Sequence, residues 1–335
     1  MDITGISHVP EYDLLRLHTA ADAEGWAPGV SVQTAEAITA HLGDFLIGGS
    51  PWERDRLWRL CREAGRAAHL AADTWGSVDV ALWDLFAKAQ GLPLFRAIGG
   101  FRDRVPAVRR GARDLSAAEH VSAAVAARDD GFWGYCICAT AEADHAGAMP
   151  ELRAAVGGDF RILYDAERRF ALEQALAVGR VLEQIDAHWF AEPLSDREVT
   201  GLQKLSDALA VSVVAGAFMG DSMTAGTRAL TSRAVDRVRA TIPLTGGLTE
   251  ALKLARGAEA VQMNCEIDWT RPSGPYAAAQ LLGAVRNAEF YLADGDDDGA
   301  PGFKPLTVVE GEVHLTQEPG LGLQPTDPQL LTALS

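Results

Sequence analysis

The sequence predicts an α/β protein: a modified (β/α) barrel of the TIM type, preceded by a region of mixed α+β character. From Val105 onward, short apolar segments recur about every 25 residues. Amphipathic helical stretches separate them, and the residues before Val105 lack that rhythm. Strand and helix alternating at this period mean βαβ units, and eight of them suggest a closed parallel barrel. An open doubly wound sheet is the alternative. A Gly-rich phosphate turn after an early strand would favour it, and the sequence has none.

Residues 12–17 form a strand-like run. Residues 23–30, with Gly25, Pro28 and Gly29, read as turn and loop. Helical patterns follow over 34–45, with Thr34 as candidate N-cap, and over 51–64, with Pro51 in the first turn. In 77–89, Val78, Ala81, Leu82, Leu85 and Phe86 make an apolar stripe, and Gly91 stops the helix. The eight barrel segments are 105–108, 135–138, 161–165, 188–192, 211–216, 237–241, 260–264 and 290–292. Helices are expected between them, for example over 172–184, 199–209, 249–258 and 276–285.

At 335 residues with 48% hydrophobic composition, the chain can bury a sizeable core. A net charge of −16 disfavours nucleic acid and anionic membrane as partners, because phosphate recognition needs Lys and Arg. No apolar run is long enough to cross a bilayer, and Met1-Asp2-Ile3-Thr4 is no basic leader. A cytoplasmic protein is therefore expected. The four cysteines, Cys61, Cys136, Cys138 and Cys265, fit neither a disulfide framework nor a zinc pattern.

Several phrases resemble the enolase superfamily, in its mandelate racemase and muconate lactonizing enzyme branch. Ser77-Val78-Asp79-Val80-Ala81-Leu82-Trp83-Asp84-Leu85, followed by Gly91-Leu92-Pro93-Leu94 and Gly99-Gly100, is similar to the link from cap to barrel. Phe190-Ala191-Glu192-Pro193-Leu194 resembles the fourth barrel strand, and Gly246-Gly247-Leu248-Thr249-Glu250-Ala251 the turn after the sixth. Pro319-Gly320-Leu321-Gly322-Leu323 resembles the C-terminal return to the cap. The resemblance implies a capping domain over residues 1–104 with a nearly absent first strand, a barrel over 105–315, and a segment over 316–335 returning to the cap. It also implies a homo-oligomer.

That family removes a proton beside a carboxylate, and a divalent metal stabilises the enediolate formed. Placed on this sequence, its second-strand Lys-x-Lys pair falls on Cys136 and Cys138. The first metal ligand falls on Asp165 and is retained, with Glu167 two residues on. The second falls on Ala191, beside the acidic Glu192, and the third on Phe218. The sixth-strand Asp falls on Thr241, and the seventh-strand His near Asn264 or Cys265. No metal is expected, since alanine and phenylalanine side chains offer no oxygen. Mg²⁺ remains the cofactor if the site survives in altered form.

Arg239 lies two residues before Thr241, so both share one face of their strand. If that face is interior, the guanidinium stands near Asp165 and Glu167 and can supply the positive charge. The alternative turns Arg237 and Arg239 outward to the helices. Cys136 and Cys138 share a face and are either a thiol acid/base or nucleophile, or two small buried hydrophobes, the latter preferred. His188 reads as structural. Trp26 either lines a ligand pocket or staples cap to barrel. Asp294, Asp296, Asp297 and Asp298 read as a solvated acidic run.

Two functions follow. The preferred one is a pseudoenzyme or binding protein for a small carboxylate, held by Asp165, Glu192, Thr241, Asn264 and Trp26. The alternative is a divergent isomerase or acid-sugar dehydratase with Arg239, Cys136, Cys138 and Glu167 as catalytic candidates.

Overall fold

The computed structural model describes residues 1–21, 23–140, 146–195, 198–216, 222–270, 274–295 and 297–334. The chain opens with an antiparallel sheet of β1 (Ile3–Val9), β2 (Leu14–Thr19) and β3 (Glu24–Pro28). Two sequence expectations fail here. The first cap strand is present, and residues 24–28 are strand rather than loop. Gly25 explains the second: a Cβ there would collide with the Ala81 carbonyl, so glycine lets β3 lie directly on a helix.

Three helices follow, α1 (Val32–Leu46), α2 (Arg54–Ala67) and α3 (Ala72–Ala89); α1 and α3 lie on the sheet, and α2 packs on both of them. Ser31, not Thr34, caps α1, its Oγ accepting from Thr34 N at 3.2 Å. Helix α3 is buried on nearly every face, because it lies between the cap sheet and the barrel. The short α4 (Leu94–Ala97) follows.

Barrel strands then alternate with helices: β4 (Arg104–Arg110), α5 (Ala117–Asp129), β5 (Gly134–Cys138), α6 (Met149–Val156), β6 (Arg161–Asp165) and α7 (Leu172–Gln184). Next come β7 (Trp189–Ala191), α8 (Val199–Ala208), β8 (Ser212–Ala215), α9 (Ser222–Ser232), β9 (Arg237–Ile242) and α10 (Leu248–Ala260). The barrel ends with β10 (Asn264–Trp269), α11 (Gly274–Leu282) and β11 (Tyr291–Ala293). Strands β4 to β10 pair in chain order, all parallel, and β11 pairs with β4. Between β10 and β11 there is no ladder among the described residues; Trp269 Nε1 instead donates to Leu292 O at 2.9 Å. Strand β11 leads into β12 (Asp297–Asp298), β13 (Leu306–Val309) and β14 (Glu312–His314), and β14 pairs antiparallel with β4.

The seventh strand lies later than the sequence pattern suggested. Ala260 ends α10, and Met263 N closes its C-terminus on Ala258 O at 2.9 Å, so the chain extends only from Asn264. Beyond the barrel, the chain returns to the cap: Leu321 N donates to Asp84 Oδ1, and Leu94 N to Gly320 O, each at 2.8 Å. The last helix, α12 (Pro328–Leu334), offers its terminal carbonyls to Arg16. No helix among the described residues is long and apolar enough to cross a membrane.

Candidate active site at the barrel mouth

Alternation along the strands fills the barrel interior with Val108, Cys136, Cys138, Leu163, Trp189, Ala191, Val214, Phe290 and Leu292. Trp189 and Phe290 stack at 6.0 Å, giving the interior an apolar floor. Above it, at the C-terminal strand ends, sits a layer of charge.

Arg239 is interior, 1% exposed, and its Nη1 donates to Asp165 Oδ2 at 2.6 Å. Asp268 Oδ2 lies 3.7 Å from the same Nη1. Arg110 joins Asp268 to Asp294, with Nη2 at 2.5 Å from Asp268 Oδ1 and Nη1 at 3.0 Å from Asp294 Oδ1. The guanidinium of Arg239 stands 4.9 Å from the centre of the Trp189 ring. The outward alternative for Arg237 and Arg239 therefore falls. Arg237 too is turned inward, but at the opposite end, where it pairs with Glu266 at 2.8 Å and Glu289 at 2.6 Å.

Electrostatics hold these groups in their charged forms. Burial alone would lower the Arg239 pKa; Asp165, Asp268 and Glu192 outweigh it and raise the value. Burial opposes the charge on Arg110 also, and Asp268 and Asp294 more than compensate. Asp268 would be raised by burial, yet Arg110 and Arg239 bring it below the usual carboxylate range. The mouth is thus a fixed array of alternating charges.

Glu167 stands on the rim. It adopts φ +48° just after β6, pairs with Arg113, and has Arg169 at 3.8 Å. Its N–H donates to Asp165 Oδ1 at 3.0 Å, which fixes the strand end. The expected neighbour, Arg239, is not its partner. Glu192 is fully buried, with φ +46°, and its charge acts on Arg239. Thr241 is interior and buried on β9.

Cys136 and Cys138 share the interior face, both buried. The hydrogen bond that its S–H donates to Cys138, then burial, pushes the Cys136 thiol well above its ordinary value, so it is a poor nucleophile at neutral pH. Asn264 is a correction. It begins β10 opposite Arg237, the end of the barrel away from the mouth, and the mouth-side residue of that strand is Asp268. Trp26 has partners in the cap and C-terminal segment: Nε1 to Glu24 at 2.9 Å, N to Asp84 at 2.9 Å, and Phe303 at 6.1 Å. Through these contacts it ties the cap to the C-terminal segment. His188 bonds Glu289 at 2.6 Å near the barrel's start, in keeping with a structural role.

Sequence reasoning missed Arg110 and Asp268 and read Asp294 as solvated. A signal existed for Asp268: Asn264, Glu266 and Asp268 alternate with Cys265, Ile267 and Trp269, the period of a strand. The acidic run after β11 is not simply solvated. Asp294 pairs with Arg110, and buried Asp298 accepts from Tyr291 Oη at 3.0 Å. Asp296 lies outside the described residues.

The ligand positions among the described residues do not fit a divalent ion. Asp165 is engaged by Arg239, and its register neighbour on β7 is Ala191. The third ligand position, Phe218, lies outside the described residues. Among the described residues, no group of three or more His, Cys, Asp or Glu side chains is placed to hold a metal.

Residues 4–99 match the family described as mandelate racemase / muconate lactonizing enzyme, N-terminal domain, and residues 119–329 match the enolase C-terminal domain-like family. L-talarate/galactarate dehydratase of Salmonella typhimurium is 27% identical over 229 residues, covering 65% of this chain and 57% of that protein. The aligned stretch thus spans little more than half of that relative. D-galactonate dehydratase of Klebsiella pneumoniae is 26% identical over 82% of this chain and 75% of its own. Among solved structures, D-glucarate dehydratase from Agrobacterium tumefaciens complexed with magnesium superposes with a TM-score of 0.84. It is 27% identical and covers 93% of this chain, which covers 87% of it.

Proposed function

Because this chain belongs to the mandelate racemase/muconate lactonizing enzyme branch of the enolase superfamily, we propose that its barrel mouth acts on a small polyhydroxy carboxylate, as an acid-sugar dehydratase does. The buried Arg239–Asp165 pair carries this reading. A proton beside a carboxylate is too weakly acidic to leave unless positive charge meets the enolate that forms. Arg239 and Arg110 are that charge, held in a water-poor interior and unable to lose their protons. Glu167, on the rim, takes the proton from the α-carbon. The C–O bond at the β-carbon then breaks, and the leaving hydroxide departs as water with the proton that Glu167 returns. The enol so formed tautomerises to the 2-keto acid. Atoms and charge balance without a further reactant.

Support comes from the relatives, whose names are galactarate, galactonate and glucarate dehydratases. Those names favour turnover over the binding-only reading preferred from sequence. One observation keeps the binding reading in play: both second-strand positions are cysteines packed in the apolar interior, and neither replaces a lysine base.

Incubation with D-galactonate, D-glucarate and galactarate tests the proposal. Turnover gives a 2-keto-3-deoxy acid, detected as its semicarbazone, and α-deuteration in D₂O seen by NMR. Ligand-induced stabilisation with neither product nor exchange leaves binding alone. No effect of any acid sugar on melting, exchange or product removes both readings.

A further inference from the structure

Arginine carries five N–H donors, and Arg239 uses only those of Nη1. Its Nε and Nη2 have no hydrogen-bond partner among the described residues, although the side chain is 1% exposed. These two nitrogens point their hydrogens side by side along one edge of the guanidinium. That edge matches the two oxygens of a carboxylate with parallel hydrogen bonds.

Two more interior groups lack partners among the described residues. One is the indole N–H of Trp189, whose ring lies under the guanidinium. The other is Thr241 Oγ1, two residues along β9 on the same face as Arg239. Buried donors are rarely left unpaired in native proteins, since each forfeits its hydration. Several together, beside a barrel mouth, are the mark of a polar ligand's seat. The carboxylates that act on Arg239 do not supply the missing acceptor: Asp165 is held on Nη1, Asp268 is shared with Arg110, and Glu192 acts through its charge without accepting from Nε or Nη2.

We propose that the Nε/Nη2 edge of Arg239 binds the ligand's carboxylate directly, with no divalent ion between them, and that Trp189 Nε1 and Thr241 Oγ1 complete the pocket. The proposal rests on the reading that an acid sugar occupies the mouth. It gives Arg239 two roles on separate edges. Nη1 locks the guanidinium to β6 through Asp165, and the free edge receives the substrate. The Trp189 ring holds the guanidinium plane from below, so the fork is set before ligand arrives.

The test uses the full chain, exhaustively treated with EDTA. Melting temperature and titration calorimetry are recorded with D-glucarate, with D-galactonate, and with D-glucitol, which has hydroxyls and no carboxylate. Each is repeated in millimolar Mg²⁺. The acid sugars are expected to raise the melting temperature in EDTA, D-glucitol to leave it unmoved, and Mg²⁺ to add nothing. Arg239→Lys keeps the charge and removes the two-pronged edge, and should weaken acid-sugar binding at least tenfold. Thr241→Val should weaken it several-fold, and it decides the matter if Arg239→Lys does not fold. Stabilisation that appears only with Mg²⁺ overturns this proposal while leaving the acid-sugar reading intact. Equal response to D-glucitol overturns it too, as does native affinity in Thr241→Val or in folded Arg239→Lys. No response to either acid sugar in any condition overturns both.

Discussion

Removing Asp165 should expose how much the barrel mouth depends on paired charge. In Asp165→Ala, Arg239 stays buried and charged but loses its 2.6 Å partner. Breaking one half of a buried ion pair typically costs about 3–5 kcal/mol. Here Asp268 remains 3.7 Å from Nη1, and Glu192 still acts on the guanidinium. Those charges recover part of the loss, so the expected destabilisation is about 2–3 kcal/mol. Arg239→Leu should cost a similar amount, because Asp165 and Glu192 then lose their common cation. The double variant replaces the pair with apolar surface of comparable size. It should be less destabilised than the two single changes summed, by about 1–2 kcal/mol of coupling. Urea unfolding followed by tryptophan fluorescence gives the four midpoints. Additivity to within about 0.5 kcal/mol would show that the pair is not coupled and refute the reasoning.

Asp79 links cap to barrel, accepting from Thr249 N at 2.7 Å and Thr249 Oγ1 at 2.6 Å, and burial pushes its pKa up to about 7 despite those bonds. A carboxyl raised in the folded state binds protons that the unfolded chain has released, so its contribution to stability should fall as pH rises from about 4 to about 7. Asp79→Asn should flatten that slope, read from urea midpoints across the range; an unchanged slope contradicts the assignment. Gly247 has φ +106°, and a Cβ there would sit 2.5 Å from Asp79 Oδ2, so Gly247→Ala should lower stability by about 2 kcal/mol or more in the same assay. All four cysteines are free and buried, so iodoacetamide at neutral pH should label none in the native protein and all four in urea. Prompt labelling of Cys136 or Cys138 would reopen their role in proton transfer.

Local pattern made much of the architecture legible. Helix α7 falls over residues 172–184 as its periodicity indicates, and the barrel segments ending in Asp165 and Thr241 lie in β6 and β9. Errors came where a local signal had two readings. Gly25 and Pro28 read as turn residues, yet Gly25 serves close packing of β3 on α3. Apolar residues at the end of α10 read as strand, because a short apolar run does not distinguish helix from sheet.

The sequence by itself determined the repeating strand–helix unit, the separate cap, the family, and the fact that Asp165 ends a strand. Those properties depend on neighbours within a few turns of chain. Tertiary structure alone decided that Arg239 faces inward and meets Asp165, 74 residues away, and that Arg110 from the first barrel strand closes on Asp268 from the seventh. Strand register and barrel curvature bring those groups together, and neither is encoded in any short window. Charge at the mouth is therefore a property of the curved sheet, whose parallel pairing sets distant strand ends a few ångströms apart.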